Sequence, residues 1–534
     1  MNNASSLTPL HDNHSHKSSD NINVITSESN KDNPSNNKVQ GITSTLLLAV
    51  FAAISGTSFH FGYATGVMNS PQGVIQIFIR EIIHRRNSNS NPSESTITLI
   101  FSLAVSIFAV GGMIGGLCGG FLTDRFGRKG GMLLNNIISF IACILMFISK
   151  PRNSYELLIV GRFLIGLSCG YGSSVAPTYI NEISPRRLRG TLGVVFQLGV
   201  VTFIFISQGI SLHSVLGSTH TWHYALGLPI VFSIIQVILL FIVPESPKYL
   251  LLKKNDSKGA EKALQWFRRQ SNVQEEITEM EEEQNNQQHS AGIISLFRTP
   301  IVRWALFITV FLQLSQQLSG INAVFYYSTV ILQAAGFNKE IAEYTNLSLG
   351  GANILVTILS IFLMDRVGRR LLHLIGLGGM IITSLILFIS LLLQSINVWN
   401  KISLAMTILF VCFFAIGPGS IPWLITAELF NQAYRVPASS IAVLVNWSAN
   451  FAVGLGFKPL FTGALDKYTF LLFTGLLVIF FLLTFFFVPE TKAKTVDNIY
   501  AELRTGQVWR RRFHIYHFNN EDYNTEHQHS LTTI

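Results

Sequence analysis

Charge is scarce in this chain. Asp, Glu, Lys and Arg make up 13% of its 534 residues, too little to coat soluble domains of that total length. Cysteine is scarcer still. Cys118, Cys143, Cys169 and Cys412 all fall inside apolar segments, and their spacing fits neither a zinc site nor a disulfide frame. Buried, unpaired thiols are expected, with no metal and no cofactor. A cleavable leader is also missing: the first 40 residues are polar, rich in Asn, Ser, His and Asp. The first apolar stretch, from Ile42, is long enough to span a bilayer and reads as an uncleaved signal-anchor. The net charge of +9 sits mostly in loops between apolar runs. A nucleic-acid partner would need a basic face on a soluble domain, and none exists.

Apolar residues are abundant. Hydrophobic side chains make up 49% of the chain, with 40 Phe, and mean hydropathy is +0.40. Runs of about 20 apolar residues, the length that crosses a bilayer, fall near 42–66, 97–121, 131–149, 156–180, 190–211 and 223–243. Six more fall near 303–329, 342–363, 371–394, 402–428, 436–459 and 468–488. The expected fold is an all-α integral membrane protein with twelve transmembrane helices in two six-helix halves. Its divisions are a disordered tail at 1–41, a half at 42–243, a linker of short helices at 244–300, a half at 301–488 and a tail at 489–534. Basic residues mark the cytosolic side. Arg125/Arg128/Lys129, Arg186/Arg187/Arg189, Arg366/Arg369/Arg370 and Arg510–Arg512 place that side, and both termini, in the cytosol. Arg80, Arg85 and Arg86 in the first outer loop dissent and are outvoted. Asn3, Asn13 and Asn255 fall on the cytosolic side, Asn346 and Asn446 within spans, and Pro92 disqualifies Asn91, so no glycosylation is expected.

The charges that are present come twice. Asp124-Arg125-Phe126-Gly127-Arg128-Lys129 recurs as Asp365-Arg366-Val367-Gly368-Arg369-Arg370. Glu182 and Arg189 recur as Glu428 and Arg435, and Pro244-Glu245-Ser246-Pro247-Lys248 as Pro489-Glu490-Thr491-Lys492. Three signatures in one order, about 245 positions apart, mean that one unit was duplicated, as in two-halved transporters. Solenoid repeats are far shorter. Anchoring to headgroups explains one copy but not carboxylates recurring in step. Bidentate carboxylate–guanidinium pairs at helix ends, placed between the halves, would form a latch that breaks when the halves rock.

Gly161-Arg162-Phe163, Pro177 through Gly190, Gln316-Gln317-Leu318-Ser319-Gly320-Ile321-Asn322, Gly417-Pro418-Gly419-Ser420-Ile421-Pro422-Trp423 and Asn446-Trp447 together resemble the sugar-porter branch of the major facilitator superfamily. The match is nearest to the animal class I facilitative glucose transporters and covers roughly 42–495. It implies the major facilitator fold, a plasma-membrane location, hexose transport by alternating access, and no enzymatic activity. It also puts Arg162 with the charged gating residues.

A hexose presents hydroxyls that donate and accept, and two weakly apolar faces. Neutral amides offer both functions on one side chain, and a mid-membrane charge is costly. Gln197, Gln313, Gln316, Gln317, Asn322, Asn353, Asn446 and Asn450, with Phe414, Trp423 and Trp447, supply this inventory within the spans. A lone amide in a span is more often glue between helices. Gln313, Gln316 and Gln317 share a helical face, whereas Asn322 lies roughly 140° away on an ideal helix. A break at Ser319-Gly320 would bring them together, and Gly417-Pro418-Gly419 with Pro422 predicts a second break beside Trp423. By resemblance, Gln197, Gln316, Gln317, Asn322, Asn353 and Trp423 are sugar-contacting, with Asn446 and Phe414 lining the same site. Gln317-Leu318-Ser319 looks like the family's marker for glucose, so D-glucose is expected, with galactose or mannose as possible extras.

Proton coupling needs a titrating group in the pathway. Proton-coupled relatives typically carry an Asp in the first helix, where this chain has Ala64, and no Asp or Glu lies near the centre of any span. His60 reads as a hydrogen-bonded neutral residue. A uniporter is expected; a proton–sugar symporter and a sugar-binding sensor with little transport are the rivals. The chain departs from the class I pattern at Ala64, Ala415, Ser420 and Ala493. Ala415 puts gating rate in doubt more than sugar identity. The ending Leu531-Thr532-Thr533-Ile534 fits the loose form of a PDZ ligand.

Overall fold

The computed structural model describes residues 42–86, 92–285 and 292–505. The tail before Ile42, Arg510–Arg512 and the PDZ-like ending lie outside the described residues, as does the side chain of Asp365. Within them, twelve helices are long and apolar enough to cross a bilayer: Ser44–Gly66, Glu94–Phe126, Arg128–Ile148, Tyr155–Ile183, Arg189–Ile210 and Trp222–Ile242, then Pro300–Ala334, Lys339–Met364, Arg369–Leu392, Val398–Leu429, Ala433–Ala464 and Asp466–Phe487. They are numbered below as spans 1 to 12. The helices overrun the apolar runs because polar caps set their ends. Ser93 Oγ accepts from Thr96 N (3.2 Å), Ser154 Oγ from Leu157 N (3.3 Å) and Asn338 Oδ1 from Ile341 N (2.8 Å), each filling an orphan donor of a first turn.

The duplicated turns share one construction. Gly127 (φ +84°) is the single residue between the helices Glu94–Phe126 and Arg128–Ile148, and Gly368 (φ +102°) the single residue between Lys339–Val367 and Arg369–Leu392. The positive φ favours glycine. A Cβ on either would also lie within 3 Å of a carboxylate oxygen, of Glu245 at Gly127 and of Glu490 at Gly368. Those carboxylates cap the next helix. Glu245 accepts from Arg128 N (3.1 Å) and Lys129 N (3.0 Å), and Glu490 from Arg369 N (2.9 Å) and Arg370 N (3.2 Å). An anion at a helix N-terminus satisfies its free N–H groups and its dipole. The end of the bundle bearing these turns is called the motif end below, and its opposite the far end.

Spans 2 and 11 pack lengthwise, as do spans 5 and 8, so the halves meet along two seams. Midway, Trp447 of span 11 stacks on Phe61 of span 1 (centroids 5.3 Å) and meets Phe108 of span 2 edge-on (5.6 Å). The polar middle is more than a spacer. Its helix Ser257–Arg268 buries Ala263, Leu264 and Phe267, and Thr43 Oγ1 donates to Phe267 O (2.6 Å). Arg268 reaches Ile183 O (2.8 Å) and pairs with Glu276 (3.0 Å). This part of the linker is therefore seated on the first six spans, whereas its last helix, Ile293–Arg298, packs on spans 7 and 11.

The loop between spans 1 and 2 contains a helix, Gln72–Arg86, too short and too charged to register among the apolar runs. Its dissenting arginines are matched by carboxylates: Arg80 pairs with Glu94, and Arg86 with Glu156. The Glu156 hydrogen bond raises the pKa of the exposed Arg86 guanidinium. Cys143 and Cys169 are buried as expected, but Cys118 is exposed and Cys412 half-buried. A position inside an apolar run does not decide whether a side chain faces protein or lipid.

Candidate functional site

Both expected helix breaks are present. In span 7 the helix stops at Gln317, Gly320 adopts φ +90°, and a new helix starts at Ile321. In span 10 the helix ends at Ile416 and resumes at Ile421. Each break frees backbone carbonyls, which inside a membrane need partners. Gln316 meets that need: its amide donates to Pro418 O (2.8 Å) and Gly419 O (2.7 Å).

Around Gln316 the amides interlock. Asn446 of span 11 donates to Gln313 Oε1 (2.8 Å) and Gln316 Oε1 (2.7 Å), and its Oδ1 accepts from Gln317 Nε2 (2.9 Å). The break swings Asn322 back so that its amide donates to Gln317 Oε1. One turn beyond Asn446, Asn450 accepts from Tyr326 OH (3.1 Å). Gln313, Gln316, Gln317, Asn322, Asn446 and Asn450 are all buried.

This pattern divides the inventory by what is already committed. The Gln316 amide and all of Asn446 brace the fold. Asn322 Oδ1 and the Asn450 amide remain open among the described residues. Gln197, half-buried on span 5, and Asn353, buried on span 8, make no hydrogen bond among the described residues. Phe414 is half-buried just before the span 10 break, and Trp423, just after it, is 39% exposed. No Asp or Glu belongs to this cluster. His60 is buried and bonded to Pro229 O (2.8 Å) and Ser233 Oγ (3.2 Å).

Arg162 of span 4 is 1% exposed and pairs with no carboxylate among the described residues. It donates to Ala64 O (2.8 Å), Ala104 O (3.2 Å) and Val105 O (3.4 Å) and lies over the Phe108 ring (4.8 Å). It is a brace among spans 1, 2 and 4, not a salt-bridge partner as expected. The other charges correct the latch expectation too. Arg128 holds Glu182 (2.7 Å) and Asp124 (3.4 Å), and Arg369 holds Glu428 (3.2 Å). Ser246 Oγ donates to Glu182 and Thr491 Oγ1 to Glu428, both at 2.5 Å. Each of these contacts stays within one half. The turn glycine points its arginine at the fourth helix of its own half, away from the seam. Arg125 and Arg366 are exposed, Arg189 is half-buried, and Arg435 donates to Phe430 O (3.4 Å).

Among the described residues, the hydrogen bonds between the halves gather at the far end instead, apart from Ser448 Oγ to Met113 Sδ (3.3 Å). Asn69 of the loop after span 1 donates to Phe325 O (2.9 Å), Ser328 Oγ (2.6 Å) and Asn346 Oδ1 (3.2 Å). Gln208 also donates to Asn346 (3.0 Å), and His213 N donates to Glu343 (3.1 Å). Together these bonds form a seal at the far end. Its only sequence trace was neutral Asn and Gln at span ends, which many helix contacts share.

The profile of the family described as "Sugar (and other) transporter" matches residues 48–503. The chain is a member of that family. Its relatives include the chicken (Gallus gallus) "Solute carrier family 2, facilitated glucose transporter member 1". That protein is 43% identical over 469 residues, 87% of this chain and 94% of the relative. Member 3 from sheep (Ovis aries) is 44% identical over 470 residues, 88% and 94%. Among solved structures, a partially occluded inward-open form of the E. coli xylose transporter XylE aligns with TM-score 0.72 at 23% identity, covering 85% of this chain and 100% of that one. The proton:xylose symporter XylE bound to 6-bromo-6-deoxy-D-glucose aligns with TM-score 0.70 at 25% identity, covering 86% and 99%. This sugar transporter family member is a multi-pass membrane protein with the major facilitator fold.

Proposed function

We propose that this family member carries hexose, D-glucose first, down its gradient across the plasma membrane by alternating access, with both termini in the cytosol. The observation that carries this reading is the buried, uncharged amide cluster where two broken helices meet. Neutral amides offer a sugar donors and acceptors without a charge that would hold it too tightly. Gln317, Asn322, Asn353, Gln197 and Asn450 are its hydroxyl partners, with Phe414 and Trp423 beside the ring; Gln316 and Asn446 hold those partners in place.

The two halves, 42–243 and 301–488, rock as bodies braced at the motif end, and the linker at 244–300, seated on both, joins them. With the motif end in the cytosol, the Asn69 seal closes the outer side. The class I relatives' printed function, facilitated glucose transport, agrees with this reading. So does Arg162, whose partners are carbonyls rather than a titrating carboxylate. Uptake of labelled glucose in a cell lacking hexose transporters, with unlabelled galactose, mannose, fructose and inositol as competitors, tests it. Saturable uptake displaced best by glucose is expected. Binding without flux would favour a sensor. We also propose that the Thr532-Thr533-Ile534 ending engages a PDZ domain, checked by pull-down with and without Ile534.

A further inference from the structure

Lys458 stands in a place where a cation is costly. It lies on span 11 and is 5% exposed. It pairs with no carboxylate among the described residues, and its ammonium sits over the ring of Phe101 at 4.9 Å from the centroid. Phe101 belongs to span 2, in the other half, and is fully buried. An ionisable side chain kept within a span at that cost marks function by default.

Its position says which function. Asn446, Asn450, Gly454 and Lys458 follow one another at four-residue steps, so they line one stripe of span 11. Asn446 belongs to the amide cluster, Asn450 takes the Tyr326 hydroxyl, and Gly454 O accepts from Tyr327 OH (2.9 Å). Lys458 ends the stripe about 18 Å from Asn446 at 1.5 Å per residue, toward the far end. From the second half, Lys458 covers the face of the Phe101 ring, and Tyr327 meets it edge-on (6.5 Å). Tyr327 in turn stacks on Phe457 (5.5 Å). The ring of one half thus plugs a socket in the other, and the ammonium is the socket's polar wall.

We propose that Lys458 and Phe101 form a cation–π latch that holds the far end of the pathway closed. When the halves separate there, the ammonium leaves the ring and faces the vestibule, where water solvates it. The latch sets how often the far end opens. It differs from the Asn69 seal, whose hydrogen bonds involve neither residue.

A cation–π contact shifts an opening equilibrium by about 2- to 30-fold, depending on how dry it is. The test uses the full chain carrying Ser106→Cys, a span 2 position 1% exposed here that faces Gly454 of span 11, 3.3 Å from where a Cβ on that glycine would stand. A membrane-impermeant maleimide is applied, without sugar, from the side the far end faces. Lys458→Met and Phe101→Leu should each speed labelling within that range, and the double variant no further. Lys458→Arg, which keeps the cation over the ring, should label like the parent. Unchanged labelling in the single variants would overturn the latch. So would additive effects, or a Lys458→Arg variant that reaches the membrane but labels like Lys458→Met. The proposal rests on rocking halves. Glucose flux through the unsubstituted chain is read separately, so failure of the transport reading and failure of the latch are distinguishable.

Discussion

At the residue scale, the buried amides do two different jobs. Gln317 bonds only to other amides of the cluster and Asn322 keeps its oxygen open, whereas Gln316 is tied to the carbonyls of the span 10 break. Gln317→Leu should therefore weaken glucose affinity about 3- to 10-fold, the worth of one hydrogen bond or two, with surface expression retained. Competition by unlabelled glucose against labelled uptake measures it, and an unchanged affinity would move the site elsewhere. Gln316→Leu should instead destabilise the protein, because the buried Pro418 carbonyl loses its donor at about 1–3 kcal/mol and the half-buried Gly419 carbonyl at less. A lower melting temperature in detergent and reduced expression would show it. The residue types were legible in the sequence, since polar amides stand out in apolar spans. Their division of labour was not, because Gln316 and Pro418 are a hundred positions apart and meet only once both helices break.

At the element scale, two kinds of turn organise the chain. Gly320 permits the span 7 break, and a Cβ there would press against the Phe473 ring at 2.9 Å while forcing a strained positive φ. Gly320→Ala should cost transport more than expression, seen as a drop in flux per surface copy. The motif-end turns predict a contrast. Arg128→Leu leaves the half-buried Glu182 without its guanidinium, a loss of about 3–5 kcal/mol for a buried pair, and should slow turnover with sugar binding largely kept. Arg125→Leu, at an exposed position, should change little; comparing flux with binding in the two variants checks both. The twelve spans and both breaks were readable from apolar run length and from Gly and Pro. The job of the repeated charges was not. Sequence order shows that Glu245 and Glu490 recur in step, but only the fold shows them capping the helix that begins at Arg128 or Arg369. The loop helix Gln72–Arg86 did carry a signal, with Val74, Ile75, Phe78, Ile79 and Ile82 at helical spacing. It was passed over because it is too short and too charged to span.

At the scale of the whole molecule, the two halves match at the motif end and differ where they meet. Each half carries its own strut, Glu182–Arg128 or Glu428–Arg369. The hydrogen-bonded seal at the far end draws on both. The amide site is one-sided: its interlocked members come from spans 7 and 11 of the second half, and Gln197 is the contribution expected from the first. No acidic group lies in that site, and Arg162 finds its partners among carbonyls. The central claim is that sugar moves down its own gradient with no proton carried. The most direct measurement is the steady-state internal concentration of a non-metabolised glucose analogue in cells whose only hexose carrier is this chain, with and without a proton uncoupler. The account predicts a level that rises to the outside concentration, stops there, and ignores the uncoupler. Accumulation above the outside concentration that the uncoupler abolishes would contradict it.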